Sequence, residues 1–157
     1  IKEAKIGLNE GGIPIGSVIV YKDQIIGRGH NQRVQNGNPL LHGEMDALQN
    51  AGRLDSSIYR ESTIYSTLSP CIMCSGTIVH YKIPILVVGE NETVKDTTMC
   101  EDFLIDNKIE IINMDVDECK SMMSTFIHNN KELWFEDISI WIQIKGNFGT
   151  QFSIRFN

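Results

Sequence analysis

A three-layer α/β/α sandwich on a five-stranded mixed sheet is the fold class this sequence predicts, and three features predict it. The first is a hairpin near the start. Ile15 to Tyr21 is rich in β-branched residues, Lys22-Asp23 turns the chain, and Ile25 and Ile26 open a second strand that ends near His30. The second is the regular alternation of helical and extended patterns after it, because a strand–helix–strand crossover requires parallel neighbours. The third is Ile85 to Val88, an unbroken apolar run of the kind buried on both faces of a parallel sheet.

Taken in order, Ile1 to Glu10 has apolar residues at 1, 4, 6 and 8, which reads as a helix that Gly11-Gly12 stops. The hairpin follows, then a loop at Asn36-Gly37-Asn38-Pro39. Helical propensity returns from Gly43 to Asn50 and closes at Gly52, and Thr63 to Thr67 is a short strand. Ser69-Pro70 predicts a helix start, with serine as cap and proline at the first helical position, and that helix runs to about Tyr81. After the Ile85 strand come a helix at Met99 to Asn107, a strand at Glu110 to Met114, and a helix at Asp117 to Asn129 opened by acidic residues. The segment from Ile138 on breaks the pattern. Its alternating Ile138, Ile140, Ile142 and Ile144, and later Phe152, Ile154 and Phe156, predict a hairpin or an uncapped apolar tail. The expected organisation is therefore one domain over residues 1–137 and an extension over 138–157.

Composition narrows the function classes. The 157 residues suffice for one domain with a sizeable core. No apolar run approaches the roughly 20 residues that cross a bilayer, and no leader pattern is visible, so the expectation is a cytoplasmic protein, with the nucleus as a further location, and no membrane contact. The formal charge is −6, and basic residues such as Lys22, Arg28, Arg33, Arg53 and Arg60 are scattered, which argues against a nucleic-acid partner.

The chemistry is concentrated in His42-Gly43-Glu44 and in Ser69-Pro70-Cys71-Ile72-Met73-Cys74. Cys71 and Cys74, one helical turn apart, face the same way, and a helix start favours thiolates. His42 supplies a third ligand. Three protein ligands leave a fourth position open, which is the catalytic arrangement of zinc, whereas a structural site closes with four. Glu44, two residues from His42, reaches the same cleft as a proton carrier. Other readings stand beside this one. The Cys-x-x-Cys pair alone also suits a redox site, and Cys100 or Cys119 as a fourth ligand would make a structural zinc site. The order His-x-Glu then Pro-Cys-x-x-Cys resembles the already established signature of the zinc-dependent base deaminases, and is matched here rather than discovered.

Further segments extend the resemblance: Glu10-Gly11-Gly12-Ile13-Pro14-Ile15-Gly16, Gly27-Arg28-Gly29-His30-Asn31, Thr67-Leu68-Ser69-Pro70-Cys71, Val88-Gly89-Glu90-Asn91 and Trp134-Phe135-Glu136-Asp137. With them the chain resembles the fungal-type cytosine deaminases of the cytidine deaminase-like fold. The resemblance implies a homodimer with one zinc per subunit, acting on the small nucleobase cytosine in pyrimidine salvage. It also implies that Asn31 fixes the base by its polar edge, that Asp137 accepts from the exocyclic amine, and that Trp134 covers the flat ring. Gly43 N–H and the Ser69 carbonyl add contacts, while Leu68 and Ile15 form apolar walls. Read without the resemblance, Asn31 is a turn residue and Trp134 a core residue. Three departures stand out: Val94 where the family has phenylalanine on the pocket lid, a short opening helix, and the residues after Asp137.

Three alternatives compete with cytosine deamination. Two are enzymatic, a tRNA adenosine deaminase and a guanine deaminase. The third is a zinc-folded dimer that binds a partner without catalysis, against which the retained Glu44 argues.

Overall fold

The computed structural model describes residues 1–94 and 98–138. Its elements run α1 (Lys2–Asn9), β1 (Gly16–Tyr21), β2 (Gln24–His30), α2 (Arg33–Asn36), α3 (Gly43–Ala51), α4 (Ser56–Arg60), β3 (Ser62–Ser66), α5 (Ile72–Tyr81), β4 (Ile85–Val88), α6 (Thr98–Asp106), β5 (Glu110–Asn113), α7 (Asp117–Asn129) and α8 (Lys131–Asp137). The five strands form one sheet in the order β2-β1-β3-β4-β5. β1 pairs antiparallel with both β2 and β3, and β3, β4 and β5 are parallel, so the mixed sheet and the hairpin are as expected.

In register, Ile19 lies opposite Ile64, Ile64 opposite Leu86, and Leu86 opposite Ile111. This row faces Ala47 and Leu48 of α3, Ile78 of α5 and Leu104 of α6, and forms the main core. Each fully buried aliphatic side chain there contributes roughly 1.5–3 kcal/mol. On the other face Ala4 of α1 crowds Gly16, and Cys119 of α7 packs against Gly89, which completes the three layers.

α3 sits close on the hairpin because Gly27 and Gly29 present no side chain. A Cβ on either would collide with the main chain of α3 at Ala47. A second apolar cluster of Ile13, Ile15, Leu68, Met123, Phe126 and Trp134 joins α7 and α8 to the loops at the strand ends. Val94, Leu133 and Ile138 pack against it.

Three differences from the sequence reading matter. α5 begins at Ile72, with Cys71 as its N-cap residue, two positions later than Ser69-Pro70 suggests. The cause is local: Ser69 Oγ donates to Glu101 at 3.1 Å and Ser69 N donates to the Glu90 carbonyl at 2.9 Å, so neither group caps a helix. α4 has no apolar periodicity to announce it and rests on Asp55, whose carboxylate accepts from Ser57 N at 2.9 Å. α8 places Trp134 in the second cluster, where tertiary burial outweighs a short segment's weak propensity. The alternating pattern from Ile140 to Phe156 lies outside the described residues.

Candidate metal centre and its cavity

The open end of the sheet carries a cavity of about 460 Å³. That size suits a small molecule rather than a chain. His42 and Glu44 enter it from the start of α3, Ser69 and Cys71 from the loop before α5, Ile15 and Leu68 from strand ends, and Trp134 and Asp137 from α8. Asn31, Gly43 and Cys74 are buried beside it without forming its wall. Asn31 N donates to the Ile15 carbonyl at 2.8 Å, so it is held next to a wall residue. Gly43 is constrained as well, since a Cβ there would lie 3.0 Å from the Ile15 carbonyl oxygen.

His42, Cys71 and Cys74 bring one donor atom each to within 4.8 Å of one another. This nitrogen and two-sulfur set, with three protein donors, fits zinc with a position left for another ligand. Cys100 and Cys119 are buried free thiols and do not belong to the group. Nor do His30, His80 and His128. His42 Nδ1 faces Cys71 Sγ at 3.5 Å, and its Nε2 faces Asp137 Oδ1 at 3.8 Å. The two ring nitrogens are thus divided between the donor cluster and a carboxylate, the arrangement that orients a ligating imidazole.

The cluster's electrostatics match. The hydrogen bond from Cys74 is the largest influence on Cys71 and, with His42, holds its thiol down at about 4. Cys74 moves far the other way, first because it gives that hydrogen bond and then because it is buried. Cys71 is therefore held toward the thiolate while Cys74 keeps its proton, and a thiolate is ready for a cation. Burial is the main cause of a raised Glu44 carboxyl, and the neighbouring Cys71 thiolate adds to it. Ser66 Oγ donates to Glu44 Oε1 at 2.9 Å, and Cys74 Sγ lies 3.4 Å from Oε2. Burial also raises Asp137, while His42 and Arg33 oppose it.

Arg33 was hidden in the sequence. It counts there among scattered basic residues, yet its guanidinium lies in the cavity wall and pairs with Asp137, 104 positions away. Glu101 was equally silent: it accepts from both Ser69 Oγ and Asn91 Nδ2, each at 3.1 Å, and so ties the cavity loop to α6. No local pattern signals either contact, because each depends on the fold bringing distant segments together.

Comparison with known proteins agrees with this geometry. The chain is 45% identical over 139 residues to the cytosine deaminase of Candida albicans, covering 88% of this chain and 91% of that protein. It is 33% identical over 138 residues to a tRNA-specific adenosine deaminase of Buchnera aphidicola subsp. Baizongia pistaciae, covering 83% and 85%. Among solved structures, NE0047 in complex with 2,6-diaminopurine superposes with a TM-score of 0.70 over 82% of this chain and 78% of that one, and at 17% identity it speaks for the fold alone. Residues 1–90, which hold the whole His42, Cys71 and Cys74 constellation, match the cytidine and deoxycytidylate deaminase zinc-binding region, and it is to this family of zinc-dependent deaminases that the chain belongs.

Proposed function

We propose that the protein hydrolyses cytosine to uracil and ammonia. The observation that carries this reading is the small cavity that Trp134 and Asp137 of α8 share with His42 and Cys71, beside the buried Cys74 that completes the donor cluster. The 45% identity to a cytosine deaminase, against 33% to a tRNA-specific enzyme, supports the free base as substrate.

In this reading His42, Cys71 and Cys74 hold one zinc. When bound, zinc supplies Lewis acidity that makes water a nucleophile near neutral pH. Glu44 would take one proton from the attacking water and give it to the ring nitrogen, then take the second from the hydroxyl now on the ring carbon and give it to the amine, which leaves as ammonia. Its buried, raised carboxyl suits this, because a carrier works best with a pKa closer to the working pH. The bond from the water oxygen to the ring carbon forms first, and the carbon–amine bond breaks afterwards as the carbonyl forms, so water is the one co-reactant and no oxidant is needed.

The indole of Trp134 covers the ring, and Ile15 and Leu68 form its apolar walls. Asn31 and Gly43 N–H hold the carbonyl side. Asp137 accepts from the amine. The N–H and hydroxyl of Ser69 are already engaged, so its carbonyl is the polar group left for the substrate. Residues 1–137 form the catalytic domain in this reading, and Ile138 also touches the cavity.

The deciding experiment offers zinc-loaded protein cytosine, cytidine, guanine and a tRNA anticodon stem-loop in parallel and measures ammonia. Turnover of cytosine is expected. Turnover of the stem-loop alone would overturn the free-base reading.

A second copy completes the assembly. Its support is an apolar groove along α3 and α5 where Leu40, Ile72 and Tyr81 stand 57%, 52% and 40% exposed. Sedimentation should give twice the chain mass, and Ile72→Glu should shift it toward one chain; a monomeric parent would refute the pairing. Among the described residues no helix is long and apolar enough to cross a membrane.

A further inference from the structure

Arg33 occupies a singular place in this site. Its side chain is 12% exposed, and its guanidinium donates to Asp137 with one nitrogen and to Glu136 with the other, the latter at 3.1 Å. Asp137 has a 4% exposed side chain, whereas Glu136 is 58% exposed, so the bond to Asp137 is the one shielded from water and salt. The same residue's main-chain N–H donates to Asn31 Oδ1 at 3.1 Å. A main-chain N–H can only donate, so it fixes which end of the Asn31 amide faces it. The other end, Nδ2, is fully buried and has no partner among the described residues. A buried amide nitrogen of this kind calls for an acceptor.

We propose that Arg33 is the positioning residue that sets substrate specificity here: it turns Asn31 to offer a donor and aims Asp137 to offer an acceptor. The ligand that completes the pair carries a ring carbonyl and an amine, which rests on the deaminase reading above and explains how the site tells an aminated base from its oxo product. The body of α8 is held separately, by Trp134 in the apolar cluster. The guanidinium therefore acts on the helix end that carries the carboxylate, and not on whether the helix docks.

The test uses the zinc-loaded full chain. Arg33→Gln keeps the main-chain N–H and removes the guanidinium. KM for cytosine should rise on the order of tenfold or more, the scale of a misplaced polar contact, while kcat changes less. The inhibition constant of uracil, which has no amine to offer Asp137, should stay within about threefold, because that contact is absent from its complex. Arg33→Lys keeps the charge without the fork and should recover part of the KM. In a Trp141→Phe background, Trp134 emission should be the same with and without Arg33→Gln, since the helix stays docked. Equal shifts in KM and in the uracil constant, or an exposed Trp134, would make Arg33 merely structural and overturn the proposal. A wild type that turns over no aminated base overturns the deaminase reading and, with it, this inference.

Discussion

Glu44→Gln should keep its zinc and lose turnover by about 10²–10⁴-fold, the range of a positioned acid–base group. The change is close to isosteric. Glutamine can still accept from Ser66 Oγ, which now bonds Oε1 at 2.9 Å, and it fills the same 3% exposed position on α3. What it cannot do is carry a proton. Metal content by atomic absorption should remain one zinc per chain, and the far-ultraviolet spectrum should not change. The pH profile gives a second reading. Glu44 must start as a carboxylate, and burial first, then Cys71, raise its pKa above the ordinary carboxylate value. Activity of the parent therefore falls as pH drops through that raised value and is retained above it. This acidic limb should disappear from whatever residual rate the variant shows. A variant that keeps its zinc and most of its turnover would remove Glu44 from the mechanism.

The sequence announced whatever depends on neighbours in the chain. Ile85 to Val88, the hairpin around Lys22-Asp23, and the helix at Asp117 to Asn129 are all where local periodicity puts them, because the row from Ile19 to Ile111 needs only a strand's alternation to face the helices. The metal donors were legible for the same reason: Cys71 and Cys74 are three apart, and His42 and Glu44 two apart. What stayed hidden is long-range or not periodic. The N-cap of α5 moved to Cys71 because Ser69 is engaged by Glu90 and Glu101, residues from the far side of β4. α8 is too short to show a period, and its place follows from Trp134 meeting Met123 and Phe126 of α7. The link between Arg33 and Asp137 spans 104 positions, so charge counting placed Arg33 on an anonymous surface.

Cys74→Ala should strip the metal. Its thiol is fully buried on the first turn of α5 and is one of three donors within 4.8 Å, and among the described residues no fourth His, Cys, Asp or Glu donor belongs to that group. Two donors remain, and the cluster also loses the hydrogen bond that does most to keep Cys71 a thiolate. Zinc content should fall from one per chain to near zero. Because a ligand that binds only the folded state stabilises it in proportion to the logarithm of saturation, a site saturated about 1,000-fold over its Kd forfeits roughly 4 kcal/mol when the metal goes. A chelator should lower the melting temperature of the parent and leave the variant almost unmoved. The other buried thiols are the controls. Cys119 packs against Gly89 in the layer across the sheet, and Cys100 lines the cavity without joining the donor group. Cys100→Ala and Cys119→Ala should each retain one zinc. Loss of zinc from either would close the fourth position with a thiol, turn the centre into a structural one, and leave water no place beside Glu44. Retention in both, with loss in Cys74→Ala, keeps that position open next to Glu44, the proton carrier of the proposed reaction, which is what hydrolysis at this centre requires.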